Sequence, residues 1–380
     1  MNRVPVRPEM LRWARERVRI APDALGKAFP RFREWEAGEV KPTLKQLERF
    51  ARATRVPVGY LFLTKPPTER VPIPDLRTMP GARASRPSPD LLDAIYLCQN
   101  RQAWYRDWAR SAGETPLAFV GSARLDSPVE KTAAQMRSAV RFDLEARRTC
   151  PTWTDALRGF IAKVDEAGVL VMVSGVVGSN TRRKLDPEEF RGFAISDTVA
   201  PLVFINGADS KSAQMFTLAH ELAHLWLGES ALTDVGPASA PTQRIESWCN
   251  RVAAEMLVPL NVLRRELSPG DVLQDVPQLA RRFKVSRLVI LRRLLDARRL
   301  SRETFDEAYG SELASLREMP KSSGGDFYLT QPARLGRRLA RALVVSALEG
   351  QTSFTEVFRL LGVKKMATFD ELRRSLKVGF

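Results

Sequence analysis

Histidine is almost absent from this chain: His220 and His224 are the only two in 380 residues. Cysteine is nearly as scarce. Cys98, Cys150 and Cys249 are far apart and odd in number, so no disulfide framework is implied. No run of eighteen apolar residues occurs, and the opening MNRVPVRPEM lacks the apolar stretch of a secretory signal. No internal repeat is visible. These absences lead to the expectation of a cytoplasmic protein with no membrane attachment. Basic residues, by contrast, are plentiful: 60 Lys and Arg against 44 Asp and Glu, a net charge of +16. The excess lies at the ends, with +7 over residues 1–63, zero over 64–263 and +9 over 264–380. Basic ends suit a polyanion such as DNA, and they suit solvated helix faces equally well.

A chain of this length accommodates two or three domains. Residues 1–63 read as short helices: Pro8 fits a first helical position, Leu11, Ala14 and Val18 recur at helical spacing, and Gly38 is a stop. Thr43 with Gln46 forms a capping box. Residues 64–90 hold seven prolines and read as an extended strap. From Pro89 to about Ala112 an aromatic-rich helix follows, with Ile95, Trp104, Tyr105 and Trp108 as core. Asp155–Glu166 is amphipathic and closed by Gly168. Three β-rich runs come next, Val169–Val173, Gly192–Ser196 and Leu202–Ile205, with a turn at Gly178-Ser179-Asn180. Asp209 or Ser210 caps a helix running to Gly228, and a second helix spans about Gln243 to Leu257, stopped by Pro259. Helices continue to about 318, Lys321–Gly325 is a break, and residues 327–380 are helical. The expected fold is α+β, with modules at 1–63, 64–90 (strap), 91–270 (sheet and helices), 271–318 and 327–380.

The chemistry concentrates at Phe216-Thr-Leu-Ala-His-Glu-Leu-Ala-His-Leu-Trp226, which places HExxH on a helix. Residues four apart lie on one face about 6 Å apart along the axis, so His220 and His224 can converge on one ion. Glu221 then points to where a bound water would sit and would serve as catalytic base. Buried imidazoles on an apolar stripe also need something to satisfy them. With no third histidine, HExxHxxGxxH is excluded and the third metal ligand must be a carboxylate or thiolate. Glu246 and Glu255 are nine residues apart on the next helix, about 180° around it, so at most one faces the metal. Glu246 shares its face with Asn250 and with the small Ala253, and is preferred. Glu255 is the alternative, and Cys249 reads better as a buried apolar residue.

HELAHLWLG followed by E-S-W-C-N-R-V-A-A-E-M-L-V-P resembles the ImmA/IrrE family of bacterial zinc metallopeptidases, as do GVVGSNTRRKLD, FRGFAIS and PLVFIN upstream. The resemblance is strongest over 150–262. It implies a zincin-like catalytic domain in which zinc is held by His220, His224 and a glutamate on the following helix, in agreement with Glu246. It also implies cleavage of a transcriptional repressor in stress response or mobile-element control. Pro74-Asp-Leu-Arg-Thr78 is similar to longer members that begin with a helix-turn-helix. In zincin-like folds an edge strand beside the active helix receives substrate as an added strand, and Gly192–Ser196 or Leu202–Ile205 could serve.

Residues 8–63 resemble an XRE-type helix-turn-helix, on Trp35-Glu-Ala-Gly38 and Pro42-Thr-Leu44. Its reading helix, about Arg31–Glu36, offers Arg31 and Arg33 but also two glutamates, and no Gln, Asn, Ser or Thr for base edges. Residues 279–294 have a second helix-turn-helix rhythm capped by Ser286, although Leu279, Phe283, Val285, Ile290 and Leu294 could equally form a bundle core. The resulting expectation is a zinc endopeptidase acting on a repressor or antitoxin-like regulator, with DNA as a further partner through the basic ends. The alternative is a DNA-binding regulator whose metal site is sensory or structural.

Overall fold

Residues 3–76, 87–233, 244–318 and 334–379 are described by a computed structural model. They fall into two units: one runs to Pro72 and includes the first residues of the helix that starts at Pro89, and the other takes Ile73–Leu76 and everything from Ala94 on.

In the first unit, α1 (Pro8–Arg17), α2 (Pro22–Gly26), α3 (Phe32–Ala37) and α4 (Leu44–Thr54) are followed by a 3-10 turn, Val58–Phe62. Both α1 and α2 start on a proline, whose missing N–H is not needed in a first turn. The capping box at α4 forms as expected: the Thr43 hydroxyl accepts from Gln46 N–H, and the Gln46 side chain accepts from Thr43 N–H. The core is Met10, Leu11, Trp13, Phe29, Phe32, Trp35, Leu47 and Phe50, with Phe32 stacked on Phe50 at 5.3 Å. Helix α3 begins one residue later than expected, with Arg31 outside it as N-cap. Arg31 donates to Glu34 at 2.8 Å, Arg33 pairs with Asp23, and Glu36 accepts from Arg15 at 3.1 Å.

In the second unit, α5 (Pro89–Ser111) precedes α6 (Val129–Ala139), α7 (Leu144–Arg148) and α8 (Trp153–Glu166). On α5, Ile95 and Tyr105 are buried, and the half-buried Trp104 and Trp108 stack at 6.3 Å. Then come β1 (Leu170–Ser174), a small hairpin of β2 (Val176–Val177) and β3 (Asn180–Lys184), β4 (Gly192–Ile195), β5 (Leu202–Asn206), α9 (Lys211–Leu227), β6 (Ala231–Thr233) and α10 (Arg244–Leu257). The expected start of α10 at Gln243 lies outside the described residues.

The main sheet has the order β1-β5-β4-β6, with β1 parallel to β5 and the other pairs antiparallel. The strands expected from sequence are β1, β4 and β5, each within a residue or two. The hairpin and β6 carry no sequence signal, because two or three residues are too few for an alternation and Asn180–Lys184 is entirely polar. One expectation is overturned. Gly192–Ser196 and Leu202–Ile205 cannot receive an added strand, because β4 and β5 are interior and each is flanked on both sides. The edges are β1 and β6.

Four more helices follow: α11 (Leu260–Glu266), α12 (Val272–Phe283), α13 (Arg287–Asp296) and α14 (Arg302–Glu318). Ser286 caps α13 as expected. Leu279, Phe283, Val285, Ile290 and Leu294 are buried in the same core as α9 and α10, which is the bundle reading of residues 279–294. Arg282 pairs with Glu266, Arg287 with Glu312 and Arg292 with Asp296. The break at Lys321–Gly325 and the start of the tail lie outside the described residues. The described tail is helical: α15 (Arg337–Leu348), α16 (Phe354–Leu361) and α17 (Met366–Ser375). Among the described residues no helix is long and apolar enough to cross a membrane.

Candidate metal centre

Helix α9 is buried on every side from Gln214 to Trp226. Its start is fixed by Ser210, whose hydroxyl accepts from Ala213 N–H. Its end is a Schellman closure: Glu229 N–H donates to His224 O at 3.0 Å and Gly228 N–H to Leu225 O at 3.0 Å, with Gly228 at φ 75° where a side chain would strain the backbone. Gly121 N–H donates a second hydrogen bond to Leu225 O, and Ala123 N–H donates to Trp226 O. A helix held this way buries His220, Glu221 and His224, so another element must answer their polarity.

That element is α10, which packs along α9. Glu246 Oε2 lies 3.3 Å from His220 Nε2, Glu246 Oε1 lies 3.1 Å from His224 Nε2, and the two Nε2 atoms are 3.1 Å apart. All three side chains are buried, and they form the one His/Cys/Asp/Glu group among the described residues able to hold a metal ion. Despite the short distances, neither Glu246 oxygen receives a hydrogen bond among the described residues. The three side chains thus turn one donor atom each toward a common point. Metal–ligand bonds of about 2.0–2.1 Å at tetrahedral angles set ligand atoms about 3.3 Å apart, close to the separations seen here. The donor set fits a divalent ion.

Two residues that carried no role in the sequence reading complete the arrangement. Asn250, one turn beyond Glu246, presents Oδ1 3.1 Å from His220 Nδ1. Since Oδ1 only accepts, Nδ1 carries the hydrogen and the Nε2 lone pair is left facing Glu246. Its place four residues from Glu246 was the available signal. Thr233, on β6, donates its hydroxyl to Glu221 Oε1, while Glu221 Oε2 has no partner among the described residues. Nothing local marks Thr233. Gly192 on β4 makes room for this contact: a Cβ there would sit 2.5 Å from Thr217 Cγ2 and 2.9 Å from Glu221 Oε1.

The electrostatics follow from burial. Burial opposes ionisation of Glu246, but the two imidazoles outweigh it and hold the carboxyl at about 2. Burial lowers the pKa of His224, whereas at His220 the charge of Glu246 overcomes burial and raises it. Burial pushes Glu221 up to about 8. Burial also drives the Cys249 thiol well above its ordinary value, with Glu246 adding to it. The alternative carboxylate, Glu255, is buried elsewhere: it pairs with Arg293 of α13 and accepts from Leu260 N–H at 3.3 Å.

A small mixed sheet with a buried His/His/Glu cluster on two adjacent helices defines an α+β protein with side chains placed so that they could hold a divalent metal. Residues 164–295 match the model of the IrrE N-terminal-like domain, and residues 335–375 match a domain of unknown function, DUF8813. The radiation response metalloprotease IrrE of Deinococcus radiodurans is 30% identical over 138 residues, 35% of this chain and 41% of that protein. The chain thus spans about two fifths of that relative's length. Over residues 164–295 the chain is thus similar to the ImmA/IrrE family.

Proposed function

We propose that the chain is a zinc-dependent endopeptidase in which His220, His224 and Glu246 hold zinc and Glu221 is the catalytic base. The observation that carries this reading is the convergence of three buried donor atoms, none hydrogen-bonded along the approach to Glu246, beside a fourth buried side chain with a free oxygen. Zinc, when bound, supplies Lewis acidity at a carbonyl and a water with a pKa of about 7. Glu221 takes the proton of the attacking water on Oε2 and passes it to the leaving amine, while Thr233 holds Oε1 in place. A neighbouring divalent charge also favours the ionised form of a carboxyl that burial alone raises to about 8. A structural metal normally has four protein ligands and no need of an adjacent base, and three are gathered here.

The substrate we propose is a protein regulator, a transcriptional repressor or antitoxin-like protein, in stress response or mobile-element control. This rests on the family and on the helical N-terminal unit. For that unit we propose an XRE-like helix-turn-helix. Arg31, the N-cap of α3, and Arg33 within it are engaged with Glu34 and Asp23, which favours protein docking over base reading. The test compares new protein N-termini in cells expressing wild type or Glu221→Gln. Termini that require Glu221 support the peptidase and identify its substrate. Equal patterns with zinc bound to both proteins overturn it.

A further inference from the structure

The edge of the sheet nearest the candidate catalytic base is not free. β6 pairs with β4 through Gly192↔Thr233 and Phe193↔Leu232, which leaves the N–H and C=O of Leu232 facing outward. Both are taken by the proline-rich strap: Leu232 N–H donates to Pro74 O at 2.9 Å, and Leu76 N–H donates to Leu232 O at 3.1 Å. Asp75 and Leu232 thus form an isolated parallel bridge, which lays Pro74–Leu76 along the outer edge of β6. The strap is anchored by Ile73, which is buried. One residue along β6 from that bridge, Thr233 holds Glu221.

An unpaired edge takes up an extended peptide through main-chain bonds, with little demand on sequence. The occupant here is short and bonded through one residue of β6. It lacks the N–H of Pro74, so the next backbone donor in the strap is missing. Among the described residues the main-chain pairing of strap and β6 is two hydrogen bonds, each contributing about 1 kcal/mol net, and a longer strand would exceed it.

We propose that the outer edge of β6 is the acceptor for an extended peptide substrate, and that Pro74–Leu76 occupies it in cis as a displaceable autoinhibitory strand. This rests on the peptidase reading and adds its regulation: a peptide reaches Glu221 only after exchange with the strap. Of the prolines in the strap, Pro72 and Pro74 flank Ile73, which makes this stretch a poor substrate in its own right.

The test uses the full-length zinc-loaded protein and Leu76→Pro, which deletes the donor to Leu232 O. A milder variant, Leu76→Gly, keeps that N–H and loosens the backbone. The probe is a synthetic acetylated peptide of residues 71–77. The expected results are amide exchange at Leu232 at least tenfold faster in Leu76→Pro, restored by the peptide, and peptide affinity at least tenfold above wild type. Casein turnover should rise fivefold or more and be inhibited by the peptide, with Leu76→Gly intermediate throughout. Unchanged exchange at Leu232 in both variants, or faster exchange without tighter peptide binding, overturns the acceptor edge. Faster exchange and tighter binding with turnover unchanged from an active wild type overturn autoinhibition. If no protein cuts casein and Glu221→Gln matches wild type, the peptidase reading fails, while exchange and peptide binding still decide the edge.

Discussion

The two ends of α10 present the same residue type to opposite surroundings. Near its start, Glu246 faces two imidazoles and receives no hydrogen bond. Near its end, Glu255 meets the guanidinium of Arg293 and a backbone N–H. Around that end three arginines donate to the last carbonyls: Arg137 to Glu255 O at 2.8 Å, Arg147 to Leu257 O and Arg293 to Val258 O at 2.9 Å. At the C-terminal end the buried Glu255 has its complement in Arg293. The N-terminal end is complementary only to something added. Equal burial therefore says nothing about role. What separates the two carboxylates is whether the protein itself completes their hydrogen bonding.

The sharpest way to break this comparison is to exchange the consequences. Glu246→Gln should lose zinc on dialysis, with an affinity loss above the roughly 10–100-fold that removal of an outer partner costs, while thermal unfolding of the metal-free protein changes little. Metal analysis and calorimetry read both. Glu255→Ala should do the reverse. It strands Arg293 in the core at a cost toward the lower end of about 3–5 kcal/mol, since Asp296 remains 3.1 Å away, and zinc content stays at wild type. Zinc loss in both variants, or in neither, removes the distinction.

Asn250→Ala sharpens the same comparison at smaller scale. Freed of its acceptor, His220 no longer has its tautomer fixed, and zinc affinity should fall about 10–100-fold without loss of fold. Competition with a chromophoric chelator measures this. The last of the four effects is in pH. Glu221 rises from an ordinary 4.5 to about 8 in the folded, metal-free protein. The folded state therefore holds a proton that the unfolded chain releases. Stability from this group is present below about 4.5 and is lost as pH rises toward about 8. In denaturant unfolding with chelator present, Glu221→Gln should match wild type at pH 4 and exceed it increasingly up to pH 8. A constant difference across that range would show that Glu221 does not titrate as its burial requires.

Much of this site was legible before any coordinates. HExxH on an apolar helix put His220 and His224 on one face with Glu221 beside it, and helical angles allowed only one of Glu246 and Glu255 to join them. Asn250 was within reach of the same reasoning, standing four residues from Glu246. Thr233 was not, because Ala231–Thr233 is too short to announce a strand and its value lies in a contact across twelve residues. The acceptor edge was misplaced for a related reason. β4 and β5 have the strongest strand patterns because they are interior and buried, and that same strength disqualifies them as edges. Leu279, Ile290 and Leu294 of the 279–294 segment join the core cluster that also holds residues of α9 and α10, distant elements that no local pattern names.

The sequence by itself determined which side chains can bind a metal and which backbone segments become helices, since both depend on spacing of a few residues along one chain. Tertiary structure decided which glutamate faces the imidazoles, which strand is the edge and where the strap at Pro74–Leu76 docks. Those outcomes depend on which distant elements satisfy each other's buried polar groups, and hydrogen-bond complementarity between distant segments leaves no periodic trace in either of them.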